Sequence, residues 1–334
     1  MSGRRLGSLL ILTVLYLALM IAWAIAMRGA EFNWFTTLLL YMPQHIWLFV
    51  PAILLLIAWA RRNRGAILWN LVTIGFVSVA LMGFRFPVRR VGEAPGIRLR
   101  VMTYNINHGG AGFGRVAETI RQQAPDIVCL QEANLGPWNS EMPKRVDSLM
   151  PGWHVARFRS FATLSRYRIV SREVHEMQPE TGRVVLETVV DVKGRRLVVL
   201  NTHLSTAAKG SLLHRSVSLE RYMREAVAVR GFQVAVLQKV LGASKGAVVV
   251  MGDFNNPPRG VLYHRLLGHL RDAFGLAGFG FGHTYSTRLP VLRLDYVFVN
   301  DKLGVKRCFV PRVSASDHRP VVADLIILGS DAGE

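Results

Sequence analysis

The chain is poor in cysteine. Only Cys129 and Cys308 occur in 334 residues, so no disulfide framework can hold the fold. Each lies in an apolar, strand-like run, which predicts two buried thiols; an exported domain would also permit a single bridge. Internal repeats and low-complexity tracts are absent too. Charge is missing from three long stretches: residues 6–27, 32–60 and 65–84 contain no Asp, Glu, Lys or Arg. Each is about as long as the roughly 20 apolar residues that cross a bilayer as a helix. A signal peptide has one shorter apolar core. Three such stretches in succession predict transmembrane helices at about 6–27, 36–60 and 66–84, with a linker over 85–96. The middle stretch is the least regular: Pro43, Gln44, His45 and Pro51 predict a kink or a shift.

Acidic residues are scarce as well, 22 against 41 Lys and Arg. Arg4 and Arg5 precede the first apolar stretch, and Arg61, Arg62 and Arg64 separate the second from the third. These two sites share a side, which the positive-inside rule makes cytoplasmic. Three spans then put residues 85–334 on the extracytoplasmic side, although Arg28, Arg85, Arg89 and Arg90 thin the bias. Residues 96–334 hold 32 basic and 20 acidic side chains, a net of +12. That balance favours anionic partners such as nucleic acid, phospholipid headgroups or other phosphates; solubility beside an anionic membrane is the plainer account.

Beyond residue 96 the pattern changes to short apolar strands alternating with helical stretches. IRLRVMTYNI, DIVCLQE, AVVVMGDFN, LDYVFV and RPVVADLIIL read as strands, and RVAETIRQQA and residues 138–150 and 216–242 as helices. Two strands flank Lys193-Gly194 as a hairpin. Hairpins mixed with helices predict a layered α/β sandwich. Several buried strands end on side chains that are costly to bury: Asn105 and Asn107, Glu132, Asn201 and His203, Asp253 and Asn255. Asp295 opens a strand, and Asp317-His318 precede another. One such end is a turn or cap. Five or six of them would meet along one edge of a sandwich, as a rigid scaffold arranges a catalytic cleft.

TYNIN, LQE, NTHL, GDFN, LDYVFV and SDHRPV occur in the order and approximate spacing of the endonuclease/exonuclease/phosphatase superfamily, and residues 97–328 resemble that DNase I-like group. The resemblance implies a four-layered α/β sandwich, here preceded by an α-helical transmembrane region, and metal-dependent phosphoester hydrolysis. It implies Glu132 as a ligand of Mg²⁺ (or Mn²⁺), with Asn105, Asn107 and Asp317 on the metal side. Glutamate oxygen suits that hard ion. Many relatives carry Asp where Asn107 stands. His318 would handle protons or contact the phosphate, with Asp295 fixing its ring. Asp253 would orient or deprotonate the attacking water. Asn255 and His203 would donate to phosphoryl oxygen. Arg166 and Tyr285, beside Thr284, are candidate substrate contacts.

One departure is length. Residues 205–229 stand between NTHL and an Arg230-x-x-Gln233 pair that begins a helix in compact members. This basic, amphipathic insertion reads either as a helix packed on its own domain or as a lid against the bilayer. The expected protein is a membrane-tethered phosphodiesterase, nuclease-like first. Phospholipid, sphingolipid or phosphoinositide headgroups are the alternative substrate, and a silent binding module is a third reading. Its partners would be an anionic phosphoester and the lipid bilayer, with no obligate protein partner.

Overall fold

The computed structural model describes residues 2–87, 95–133, 150–178, 182–206 and 218–329. The apolar N-terminal third is helical: α1 (Ser2–Arg28), α2 (Trp34–Leu40), α3 (Phe49–Ala60) and α4 (Arg64–Phe76), the last continuing through a π-helical turn, Val77–Leu81. Asn33 and Asn63 cap α2 and α4 by accepting from the Phe35 and Ala66 amides. The middle apolar stretch is broken, as its prolines foretold. Pro43 cannot continue α2, and the chain turns by 82° into the Gln44–Ala60 unit. Leu9 packs with Leu54, Ala58 and Ala66, while Met20 packs with Val77 and Leu81. The turn at Arg61–Asn63 therefore lies beside the start of α1, and the remainder of the chain leaves from the opposite end. Large apolar side chains point outward: Ile11, Leu15, Ile25, Ile53, Leu56 and Leu68 are all more than half exposed.

The rest of the chain forms two six-stranded sheets. The first has the order β11-β12-β1-β2-β4-β3. Its strands are β1 (Gly96–Asn105), β2 (Ile127–Gln131), β3 (His154–Phe158), β4 (Phe161–Ser165), β11 (Leu303–Phe309) and β12 (Val321–Leu328). The second has the order β5-β6-β7-β8-β10-β9. Its strands are β5 (Ile169–Gln178), β6 (Arg183–Val192), β7 (Arg195–His203), β8 (Ala247–Asp253), β9 (Arg271–Asp272) and β10 (Asp295–Val299). The β6–β7 hairpin turns on Lys193-Gly194 as expected, with φ of 54° and 85°, the backbone a two-residue hairpin loop needs.

Period-two alternation builds the layers. Val101, Ile127, Cys129, Val199, Val249, Met251 and Val297 face inward and form the core between the sheets. Their neighbours Met102, Tyr104, Val128 and Leu130 face out under α5 (Phe113–Gln123) through Val116 and Ile120. On the other side Val198, Val248, Val250 and Phe298 pack under α6 (Leu219–Ala243) and α7 (Gly260–Leu267). The result is helix, sheet, sheet, helix: the four-layered α/β sandwich. Both thiols are free and buried in the inter-sheet core.

Arg230 and Gln233 lie inside a helix and not at its start, as the helix expected over 216–242 requires: α6 starts at Leu219 with Ser218 as its cap. The second half of the insertion thus extends that helix; residues 207–217, like a helix expected over 138–150 (apart from Met150) and most of the linker, lie outside the described residues. Helix α6 is apolar and long enough to cross a membrane, yet Val234, Leu237 and Val240 are buried on the second sheet.

A buried ion pair locks α8 (Ala273–Ala277) to the core. Arg293 lies 2.7 Å from Asp272, which also accepts from Tyr263 and from the Phe274 amide. Burial works against the Asp272 charge, but Arg293 and Tyr263 hold its pKa below the ordinary value. Asp272→Asn should destabilise the protein by about 3–5 kcal/mol at neutral pH, because it strands the guanidinium. A depressed carboxylate stabilises above its unfolded value of about 3.9 and loses that contribution as pH falls through the folded value. Denaturant titrations of the two proteins should therefore converge in acid.

Candidate active site

The alternation that buries Val249 and Met251 also turns Asp253 inward. Register then aligns the polar strand ends. His203 and Asp295 both lie opposite Asp253 across β7, β8 and β10. Asn105 lies opposite Gln131 across β1 and β2, and Glu132 follows at once. The two rows meet across the sandwich: the Asn105 amide donates to Asp253 Oδ2 at 3.0 Å and to Glu132 Oε1 at 3.3 Å.

His318 sits between two acids. Its Nδ1 is 2.8 Å from Asp295 Oδ2, and its Nε2 is 3.8 Å from Asp253 Oδ2. Burial opposes charge on this ring, but Asp295 and Asp253 outweigh it and push the His318 pKa up to about 10. Burial likewise opposes the Asp253 charge, and His318 and His203 hold that carboxyl below the usual range. Burial raises the Asp295 pKa, with His318 partly offsetting it. The site therefore keeps a fixed carboxylate at Asp253 beside a charged, oriented imidazole. Arg183 Nη1 lies 2.5 Å from His203 Nδ1. Arginine cannot accept, so the neutral ring carries its proton on Nε2, 3.3 Å from Asp253 Oδ2.

The loop after β8 holds Asn255. Its amide N–H donates to Asp253 Oδ1, and its side chain donates to the Leu204 carbonyl while lying 3.1 Å from His203 Nε2. Asn107, Glu132 and Asn255 all occupy left-handed backbone, with φ of 44°, 51° and 46°. Such conformations cost about 1 kcal/mol or more each and persist where surrounding bonds enforce them. Beneath the site, Gln131 donates to Asn201 at 2.8 Å, and Asn201 donates to the Leu130 and Ala162 carbonyls. This buried amide pair stitches the sheets together.

Asn105, Glu132, His203, Asp253, Asn255, Asp295 and His318 thus converge. Tyr285 packs on His318 with ring centres 4.8 Å apart. Thr284 Oγ1 anchors the start of β10 by accepting from the Leu294 amide. Asp317 adjoins the site through Ser316, whose Oγ lies 3.1 Å from Asp317 Oδ1 and 2.8 Å from the Asn105 carbonyl. Asn107 joins only by its backbone N–H to Asn105 Oδ1, and its side chain is exposed. Arg166 does not join. It is fixed beside Pro125 and Asp126 and stacks on Trp153. That is the opposite end of β2 from Glu132, roughly 20 Å of strand away.

Several contributors are not among the candidates singled out from the sequence. Arg183 gives no local signal, and Ser316 lies within SDHRPV but is not one of them. A third group joins the N-terminal helices to the loop after β8. Tyr41 Oη donates to the Asn255 carbonyl at 2.9 Å and accepts from Arg230, which also donates to Asn256. Arg230 is fully buried. Glu31 accepts from the Val261 amide at 2.5 Å and caps α7. Arg259 donates to the Leu40 and Leu81 carbonyls.

Carboxylates, amides and a charged histidine converging at the inner edge of a four-layered sandwich define a phosphoesterase-type site, and the chain's relatives agree. Residues 102–318 match the Endonuclease/Exonuclease/phosphatase family, and the chain belongs to it. No curated protein matches the chain. Among solved structures, an endonuclease/exonuclease/phosphatase from Beutenbergia cavernae is 24% identical with a TM-score of 0.54, covering 71% of this chain and 73% of that one. A family protein from Bacteroides thetaiotaomicron is 19% identical with a TM-score of 0.56, over 70% and 99%. A mannosyl-6-phosphatase from the same organism is 20% identical with a TM-score of 0.53, over 68% and 99%. At these identities the likeness concerns the fold.

The residues present fit the divalent metal on which the family depends. Glu132 offers a hard carboxylate that is about a quarter exposed, at 26%. Asp253, Asp295 and His318 present further ligand atoms within 4.8 Å of one another.

Because Tyr41 holds the carbonyl of Asn255, Tyr41→Phe should lower kcat on an aryl phosphodiester by about tenfold while leaving KM near wild type. Steady-state kinetics of the full chain in detergent checks this. Tyr16→Phe, which removes a bond to the Trp47 carbonyl within the helices alone, should leave kcat in place.

Proposed function

We propose that the chain is a membrane-embedded, divalent-metal-dependent phosphoesterase whose cleft works at a bilayer surface on the extracytoplasmic side. The observation that carries this is the convergence of Glu132, Asp253, Asn255, Asp295 and His318 on one point, in a loop bonded to apolar helices through Tyr41. The helices support membrane embedding by what they expose. Side chains such as Ile11, Leu15 and Leu56 would be a costly surface in water.

In this mechanism Asp253 accepts a hydrogen bond from the attacking water and aligns it with phosphorus. Protonated His318, held by Asp295, donates to the phosphoryl oxygen where charge develops. Asn255 and His203 add further donors. Glu132, with Asn105 and Asp317, would hold Mg²⁺ or Mn²⁺, which supplies further charge neutralisation. Tyr285 covers the His318 ring and excludes water from one side.

The position of the cleft beside the helices favours a lipid headgroup phosphoester as substrate. A second reading, nucleic acid, is favoured by the net charge of +12 on residues 96–334. The structural relative that is a sugar phosphatase adds sugar phosphates to the substrates worth testing. The full chain in detergent, with Mg²⁺ or with EDTA, should be offered phospholipids, sphingomyelin, phosphoinositides, plasmid DNA, RNA and sugar phosphates. Asp253→Ala and His318→Ala should each lower turnover about 10²–10⁴-fold, and EDTA should abolish it. If either variant matched wild type, the site assignment would be wrong.

A further inference from the structure

A second concave site lies away from the cleft, where the helical region meets α7. It is a groove of about 430 Å³. Its walls are apolar: Ile21 and Ile25 of α1, and Phe76 and Val79 at the end of α4. Two arginines, Arg28 and Arg85, also line it, with His264 beside them. One side is closed by Pro258 and Arg259, just beyond Asn255 and Asn256, so the groove backs onto the catalytic loop from outside it.

Among the described residues, no carboxylate forms an ion pair with Arg28 or Arg85. Glu31, the acid nearest Arg28 in sequence, is turned to the Val261 amide and lies 3.8 Å from Arg230. Arg85 uses its backbone to pair with Gly280. Arg259 is committed to the Leu40 and Leu81 carbonyls. Arg28 and His264 are close enough that Arg28, after burial, depresses the His264 pKa. Cations gathered at one end of a hydrocarbon-lined slot complement an amphiphile with an anionic head. The scale also fits. Ile21 and Arg28 are seven residues apart on one helix, about 10 Å along its axis, enough for a glycerol backbone and the upper part of an acyl chain.

We propose that this groove binds one anionic phospholipid, its phosphate held by Arg28 and Arg85 and its chain laid along Ile21, Ile25 and Val79. The inference rests on the reading that α1 and α4 cross the bilayer. In that frame Arg28 and Arg85 stand at the headgroup level, where basic side chains attract anionic lipid. The bound lipid braces α1 and α4 against α7 and the Pro258–Arg259 turn. It is a structural ligand behind the active site and not its substrate.

The test uses the full chain in bilayers containing equal phosphatidylglycerol and phosphatidylcholine. The membranes are first washed at alkaline pH, and the protein is then extracted in mild detergent for native mass spectrometry. Wild type should stay in the membrane and carry phosphatidylglycerol in preference. Arg28→Ala with Arg85→Ala should cut that enrichment about tenfold. Ala24→Trp, and separately Ala80→Trp, keep the charges and fill the groove, and should remove the lipid as well. Equal retention of both lipids by wild type would overturn the proposal. So would undiminished enrichment in the arginine variant, or in both tryptophan variants, which would point to charge attraction without a built groove. If wild type washed off the bilayer, the membrane reading itself would fail and take this inference with it.

Discussion

A carboxylate that is only 1% exposed must find its compensation inside the protein, and Asp253 is such a group. Its donors come from both sheets and from the loop that follows it: Asn105 from the first sheet, His203 from the second, the Asn255 backbone, and His318 at slightly longer range. An isolated buried charge would neutralise itself by taking a proton. Here the surrounding imidazoles and amides make the charged state the stable one. The sandwich can close at this end only if those residues arrive together, so the electrostatics of one oxygen pair constrain the register of four strands.

That constraint explains which parts of the site were legible in the sequence. A strand with period two that buries Val249 and Met251 must turn Asp253 to the same face. The same parity applies to Thr103 and Asn105, and to Val199, Asn201 and His203. Polar groups at such positions can be read from alternation alone, and the short motifs they form carried the family resemblance. Arg166 shows the limit. It also follows a buried strand, but β4 runs antiparallel to β2, so its carboxyl end is the far end of the sheet. A strand's direction is a tertiary fact that its own residues do not encode. Arg183 lies at the opposite sort of end, opening β6, where antiparallel pairing with β7 returns it to His203.

The helical region was legible as apolar length but not as part of the catalytic unit. Nothing around Tyr41 or Glu31 announces a partner more than 200 residues away. Their roles arise because the 253–261 loop leaves β8 with a left-handed Asn255, two prolines and a glycine at φ 80°, and offers carbonyls and amides that its own segment cannot satisfy. Buried backbone groups must be paired. Tyr41, Arg230 and Glu31 pair them. Gly260 has to be glycine for the same reason: a Cβ there would come within 2.1 Å of the Glu31 carboxylate.

The domain and its helices therefore share one polar junction, and a simple tether does not describe it. A tether needs only a connecting segment between two otherwise separate parts. Instead α2 lies against α6, and the ends of α2 and of the π-turn receive Arg259. Buried ionic and hydrogen-bonded groups of this kind fix one geometry over its alternatives where they are paired; among the described residues Glu31 Oε1, Arg230 Nε and Arg259 Nε find no hydrogen-bond partner. The arrangement that fixes the helices against α7 is also the one that presents Asn255 to Asp253 and His203. The geometry of the candidate site and the attachment of the helices are thus held by the same set of bonds, and a change in how α1 and α4 pack would reach Asn255 through two or three contacts.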